Sequence, residues 1–175
     1  MRIVIVGCGR VGAVVAGSLD AAGHEVVIID SVTSAFDRLP TTFRGSAIRA
    51  DGTDEDSLRR AGAERADVFL ALTEGDNRNV MAAQLAVEAL GVQRVVAKIN
   101  DPVRAEAYAD LGIPTICRTE LMAHALLGFM GVSTPEPPGV RPAGLHPHHA
   151  ADEAARGGAG GVFAATVGAT PASEA

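Results

Sequence analysis

A short apolar strand that runs straight into a glycine loop is the strongest constraint on how this chain can fold. Ile3-Val4-Ile5-Val6 is followed at once by Gly7-Cys8-Gly9-Arg10-Val11-Gly12, and a helical stretch opens near residue 11. Each glycine of this G-x-G-x-x-G pattern has a task. Gly7 permits the tight turn from strand to helix. Gly9 leaves the backbone bare, so that a pyrophosphate can approach it. Gly12 lets the helix lie close against the strand. The helix N-terminus adds unpaired N–H groups and the positive end of its dipole. An acid completes the pattern. Asp30 ends the second apolar run, close to the roughly 20-residue spacing expected of this motif. A carboxylate there accepts both hydroxyls of an adenosine ribose and repels a 2′-phosphate. NAD(H), or another adenine nucleotide with an unphosphorylated ribose, is therefore expected in preference to NADP(H). The alternative is a glycine turn that serves only packing.

The rest of the chain repeats the same unit. Ile3–Val6, Val26–Ile29, Ala47–Ile48, Val68–Leu72, Val95–Ile99 and Ile113–Cys117 read as strands. Most are continuous apolar runs, as expected of parallel strands covered on both faces. Helical segments lie near 11–22, 33–39, 54–61, 77–90, 102–111 and 119–130. Six βα units in this order predict an α/β fold, a doubly wound parallel Rossmann sheet of order 3-2-1-4-5-6. Composition changes near Gly131. Residues 1–131 are expected to form the nucleotide-binding domain. Residues 132–175 are rich in Ala, Gly and Pro and are expected to form a disordered tail, with a short helix near Ala150–Arg156 as an alternative.

In this fold ligands sit beyond the carboxyl ends of the strands. Arg10 lies at the start of the first helix, where a cation opposes the helix dipole. A bound phosphate would reverse that balance; otherwise Arg10 is a solvated surface residue. Asp51-Gly52-Thr53 follows the third strand and is placed to border an adenine, although Thr53 or Asp54 could equally cap the next helix. Leu72 and Thr73 follow the fourth strand and face the second half of the ligand. Asp76 or Asn77 is a candidate helix cap. Lys98, the chain's one lysine, ends the fifth strand and is expected to meet the ligand or a neighbouring subunit. Cys8 and Val11 complete the glycine-loop contacts.

Several classes are disfavoured. The formal net charge is −6, which argues against nucleic acid as a partner. Cys8 and Cys117 form no metal or disulfide pattern. No apolar run approaches the roughly 20 residues needed to span a bilayer, so a soluble cytoplasmic chain is expected. A dehydrogenase needs an acid or base near its nicotinamide and room for a substrate. The Tyr-x-x-x-Lys signature is absent, and no substrate domain follows. No catalytic residue is assigned, and His146, His148 and His149 are not read as a metal site. A dehydrogenase fragment and a plain interaction module with a vestigial loop remain the rival readings.

The chain resembles the N-lobe of the RCK family, the regulators of potassium conductance found in Trk-type potassium uptake. The likeness rests on Ile3–Gly12, Gly23–Asp30, Ala50–Asp54, Leu72–Ala83, Val95–Pro102 and Leu111–Ile116. The turn Asp51-Gly52-Thr53 and the segment Thr73–Ala83 are more telling than the glycine loop, which many dehydrogenases share. The resemblance implies a regulator that is not an enzyme. It implies NAD(H), or ATP and ADP, as ligand, and a membrane potassium transporter or channel as partner. It also implies a dimer or ring of this chain, or one formed with a second RCK subunit, on the cytoplasmic face of the membrane. The family's last N-lobe helix crosses to a neighbour. Here Leu121, Met122, Ala125, Leu126, Phe129 and Met130 form an apolar face at helical spacing, which either crosses to a partner or packs back on its own sheet. Family members usually continue into a C-lobe, and the Pro/Gly/Ala tail stands in its place.

Overall fold

The computed structural model describes residues 1–135 and 139–141. Six parallel strands form one sheet of order β3-β2-β1-β4-β5-β6, as expected. They are β1 (Arg2–Val6), β2 (Glu25–Asp30), β3 (Ser46–Arg49), β4 (Val68–Ala71), β5 (Val95–Ile99) and β6 (Thr115–Cys117). The helices are α1 (Arg10–Ala21), α2 (Glu55–Arg60), α3 (Asp76–Gln84), α4 (Pro102–Asp110) and α5 (Arg118–Phe129).

The period of two in β1 divides the core. Ile3 and Ile5 pack with Val26, Ile28 and the α1 residues Ala13 and Ala16. Val4 and Val6 face the other way and join Val27, Ile29, Phe69, Leu58 and Val80. Both faces of the central strands are thus buried, which is why their sequence does not alternate. Each fully buried Ile or Phe contributes roughly 1.5–3 kcal/mol. Ala82, Ala83, Ala86 and Ala105 are all buried. Their small side chains let α3, the turn that follows it, and α4 lie close to the sheet.

Four details refine the sequence reading. Residues 33–39 form a 3-10 helix, Thr33–Arg38, and not an α-helix. Pro40 forces Leu39 into an extended conformation (ψ 144°) and stops the turn early. Helix α3 widens into a π turn over Leu85–Ala89, in which Leu90 N–H donates to the Leu85 carbonyl at 3.1 Å. The sixth strand starts at Thr115, because Pro114 has no N–H to give. Finally, the expected domain limit at 131 falls before a segment that pairs with the sheet. Arg141 and Thr115 exchange two backbone hydrogen bonds, of 2.7 and 3.1 Å. Strand β6 is an edge strand with unpaired backbone groups, and Arg141 satisfies two of them. The proposed helix near Ala150–Arg156 and the tail histidines lie outside the described residues.

Helix α5 does not pack back on the sheet. None of its residues is buried. Met122, Leu126 and Met130 are exposed, and Phe129 is 91% exposed.

Candidate nucleotide site

The glycine loop holds its shape through backbone contacts that exclude side chains. Gly7 has φ +105°, and a Cβ there would lie 2.7 Å from Thr73 N. A Cβ on Gly12 would lie 2.0 Å from the Gly7 carbonyl oxygen. Gly9 differs from both. A Cβ there would meet Glu74 Oε1 at 3.5 Å, an ordinary contact. Nothing in the protein itself demands a glycine at this point. Its bareness faces the cleft, where a ligand would approach.

Asp30 ties the loop to the turn after β2. Its Oδ2 accepts from Cys8 N–H at 2.7 Å, and its Oδ1 accepts from Val32 N–H at 2.9 Å. Each carboxylate oxygen keeps a free acceptor site. Cys8 is fully buried. Burial, and then the Asp30 charge, push its thiol above the ordinary cysteine range.

Asp51 and Thr53 are bonded to each other. Asp51 Oδ1 accepts from the Thr53 N–H at 2.9 Å and from the Thr53 hydroxyl at 2.7 Å. Those bonds hold the Asp51 carboxyl below the usual carboxylate range. The helix cap is Asp54, which accepts from Ser57 N–H at 2.9 Å. Gly52 fits the turn because a Cβ would lie 2.1 Å from Val6 Cγ1.

The segment after β4 is fastened by a buried asparagine. Asn79 Oδ1 accepts from Thr73 N–H (2.8 Å) and from the Thr73 hydroxyl (2.7 Å). Its Nδ2 donates to the carbonyls of Thr73 (3.0 Å) and Lys98 (2.7 Å). Leu72 N–H donates to Val6 C=O at 2.7 Å. Asp76 is not a cap. Its Oδ1 accepts from Asn100 N–H and Nδ2, which joins the start of α3 to the end of β5.

These turns enclose a cleft of about 330 Å³. Gly7, Cys8, Gly9, Asp30, Asp51, Gly52, Thr53, Leu72 and Thr73 all line it. Sequence reasoning missed Arg38 and Arg78, which also line it. A second hollow of about 280 Å³ adjoins it and shares Gly9, Arg38, Leu72 and Glu74. Arg10, Val11, Lys98 and Arg118 complete its wall. Arg10, Arg38, Lys98 and Arg118 set four cations against the one carboxylate of Glu74.

Lys98 is 4% exposed. Among the described residues none accepts a hydrogen bond from its ammonium. Burial holds that ammonium below the usual lysine range; Arg118 lowers it further, while Glu74 and Asp76 partly restore it. The folded-state pKa therefore lies below the unfolded one. The charged form costs stability across neutral pH, and the cost fades as pH rises through the folded value toward the ordinary 10.5. Lys98→Met is expected to raise the melting temperature of the ligand-free protein near pH 7 and to weaken anion binding. A lower melting temperature would show that the ammonium has a stabilising partner.

A bare Gly9, a ribose-height carboxylate and an unpaired ammonium beyond them fit a nucleotide with its phosphates over the α1 N-terminus. Among the described residues, no group of His, Cys, Asp and Glu could hold a metal ion, and no helix is long and apolar enough to cross a membrane.

Fold and cleft together define a Rossmann-type nucleotide-binding domain. The chain belongs to the TrkA-N domain family, whose model matches residues 3–119. It is 45% identical over 137 residues to the Trk system potassium uptake protein TrkA of Streptomyces coelicolor, covering 78% of this chain and 61% of that protein. It therefore spans less than two thirds of that relative. The TrkA-N domain of the Escherichia coli inner membrane protein ybaL has the same fold, with a TM-score of 0.66 at 17% identity, covering 74% of this chain and 96% of that one. So does the Kef C-terminal domain of Shewanella denitrificans in its AMP-bound form, with a TM-score of 0.60 at 24% identity, covering 76% and 84%.

Proposed function

We propose that the chain is a regulatory subunit of a potassium uptake system, working at the inner face of the membrane and binding an adenine nucleotide that reports to a transporter or channel partner. The Streptomyces relative supports the potassium link. The cleft supports the ligand, because it joins Gly7–Gly9, Asp30 and Asp51–Thr53 in one space.

In this reading Asp30 accepts the two ribose hydroxyls through its remaining acceptor sites. The adenine lies toward Asp51–Thr53. The phosphates cross Gly9, where the backbone is bare toward the cleft. The far end of the ligand enters the second hollow. Four cations there disfavour the positively charged nicotinamide of NAD⁺. NADH, ATP and ADP offer a neutral or anionic end and suit it better. Ligand exchange can bias the partner only through different affinities for two arrangements of the assembly, a dimer or larger ring of this chain.

Thermal unfolding tests the ligand. A nucleotide at 100 times its dissociation constant stabilises the fold by about 2.7 kcal/mol. For a domain of this size that is a rise of roughly 8 °C. NADH, ATP or ADP is expected to produce it, and NAD⁺ less. The absence of any shift with all four would refute the nucleotide reading.

A further inference from the structure

Among the described residues that line the second hollow, Glu74 alone is an acid. Its carboxylate lies where a ligand's phosphates would pass. Glu74 is exposed and follows β4 by three residues. It lines both hollows, as Gly9 does. Its Oε1 lies 3.5 Å from the place a Cβ on Gly9 would take. The carboxylate therefore stands beside the bare backbone of the glycine loop, in the space that the missing side chain leaves open.

No hydrogen bond holds the carboxylate there among the described residues. Glu74 meets Asn100 only through its backbone carbonyl, which accepts from Asn100 Nδ2 at 3.3 Å. Charge supplies the attraction instead. Arg10, Arg38, Lys98 and Arg118 line the same hollow. The α1 N-terminus opens beside it, and Gly9, the cap of that helix, has no side chain to bond its N–H groups. Of the charges around Lys98, Glu74 is the one that most favours the ammonium. In the empty protein Glu74 thus meets a demand for negative charge that phosphates would meet from outside. The two anions cannot share one small space, because like charges a few ångströms apart repel strongly even near a protein surface.

We propose that Glu74 is a built-in competitor for the phosphate seat: its carboxylate holds the space beside Gly9 in the empty protein, and a phosphorylated ligand binds by displacing it. This rests on the adenine-nucleotide reading above. The side chain can swing away without breaking the turn, since only its backbone is bonded. Displacement costs affinity, and the cost is selective. Adenosine carries no phosphate and reaches Asp30 with Glu74 in place, whereas ADP and ATP must move it. Glu74 therefore sets the nucleotide concentration at which the site fills.

Glu74→Gln keeps the shape of the side chain and removes its charge. In calorimetric titration without divalent cations, the variant is expected to bind ADP about tenfold more tightly than the parent, the effect of one close like charge near a surface. Adenosine, followed by ligand-observed NMR, is expected to bind both proteins alike. Inorganic phosphate alone is expected to raise the melting temperature of the variant more than that of the parent, because the seat is then free. An ADP affinity equal to or weaker than the parent's overturns the proposal. So does an equal gain for adenosine, which would mean that the charge acts on the whole cleft, and so does an equal response of the two proteins to phosphate. If neither protein binds ADP, ATP or NADH, it is the nucleotide reading that falls.

Discussion

Asp30→Ala is expected to lower affinity for adenine nucleotides by about 100-fold or more. Hydrogen bonds to a charged group are worth roughly 1.5–3 kcal/mol each, and the carboxylate has two acceptor sites left for the two ribose hydroxyls. Two such bonds correspond to at least two decades in the dissociation constant. The substitution also removes the acceptor for Cys8 N–H in the glycine loop. That part of the loss falls on the empty protein and lowers its melting temperature. Asp30→Asn separates the two effects, because it retains an acceptor but not the charge. Calorimetric titration of the three proteins with NADH and ATP measures the difference. An Asp30→Ala affinity within about twofold of the parent would remove Asp30 from the site.

The largest effect on stability is expected at Asn79. Leucine has nearly its shape but none of its polar atoms. Asn79→Leu would strand the Thr73 N–H and the carbonyls of Thr73 and Lys98, all of which Asn79 now bonds. A buried group left unsatisfied costs about 1–3 kcal/mol; the Lys98 carbonyl is bonded in a buried position and the two Thr73 groups in part-buried ones. The expected loss is roughly 4 kcal/mol, a large part of the total stability of an ordinary domain. Nucleotide affinity should fall as well, because Leu72 and Thr73 line the cleft. Denaturant midpoints measure the first effect and titration the second. A loss below about 1 kcal/mol would mean that the turn is held by other contacts.

The sheet was legible because its signal is one-dimensional. Apolar runs such as Ile3–Val6 and Val95–Ile99 are strands wherever both faces are covered, and their alternation with helices leaves few orders open. The glycine loop, Asp30 and Asp51–Thr53 were legible for a related reason. Each follows directly from the end of a strand. What the sequence hid depends on distant packing. Arg38 and Arg118 share the second hollow, yet nothing in their local sequence marks them as partners. Asn79 reads as a polar residue in a helix, and only the fold shows that it clasps the end of β5. For Lys98 the period of two offers a face of the sheet. It does not say that the face is closed over the stem and open to a hollow at the ammonium. The apolar face of α5 was visible, and its exposure answers one of the two readings made of it.

The unpaired ammonium of Lys98 has a consequence for the lifetime of the protein. Burial penalises that ammonium, and Glu74 and Asp76 offset only part of the cost, so the ligand-free form is the weaker of the two. Cellular proteases act on transiently opened chains, in proportion to how often a chain opens. An anion beside Lys98 would lower that frequency. Under the proposed function, the amount of protein present would then follow the supply of nucleotide through selective survival.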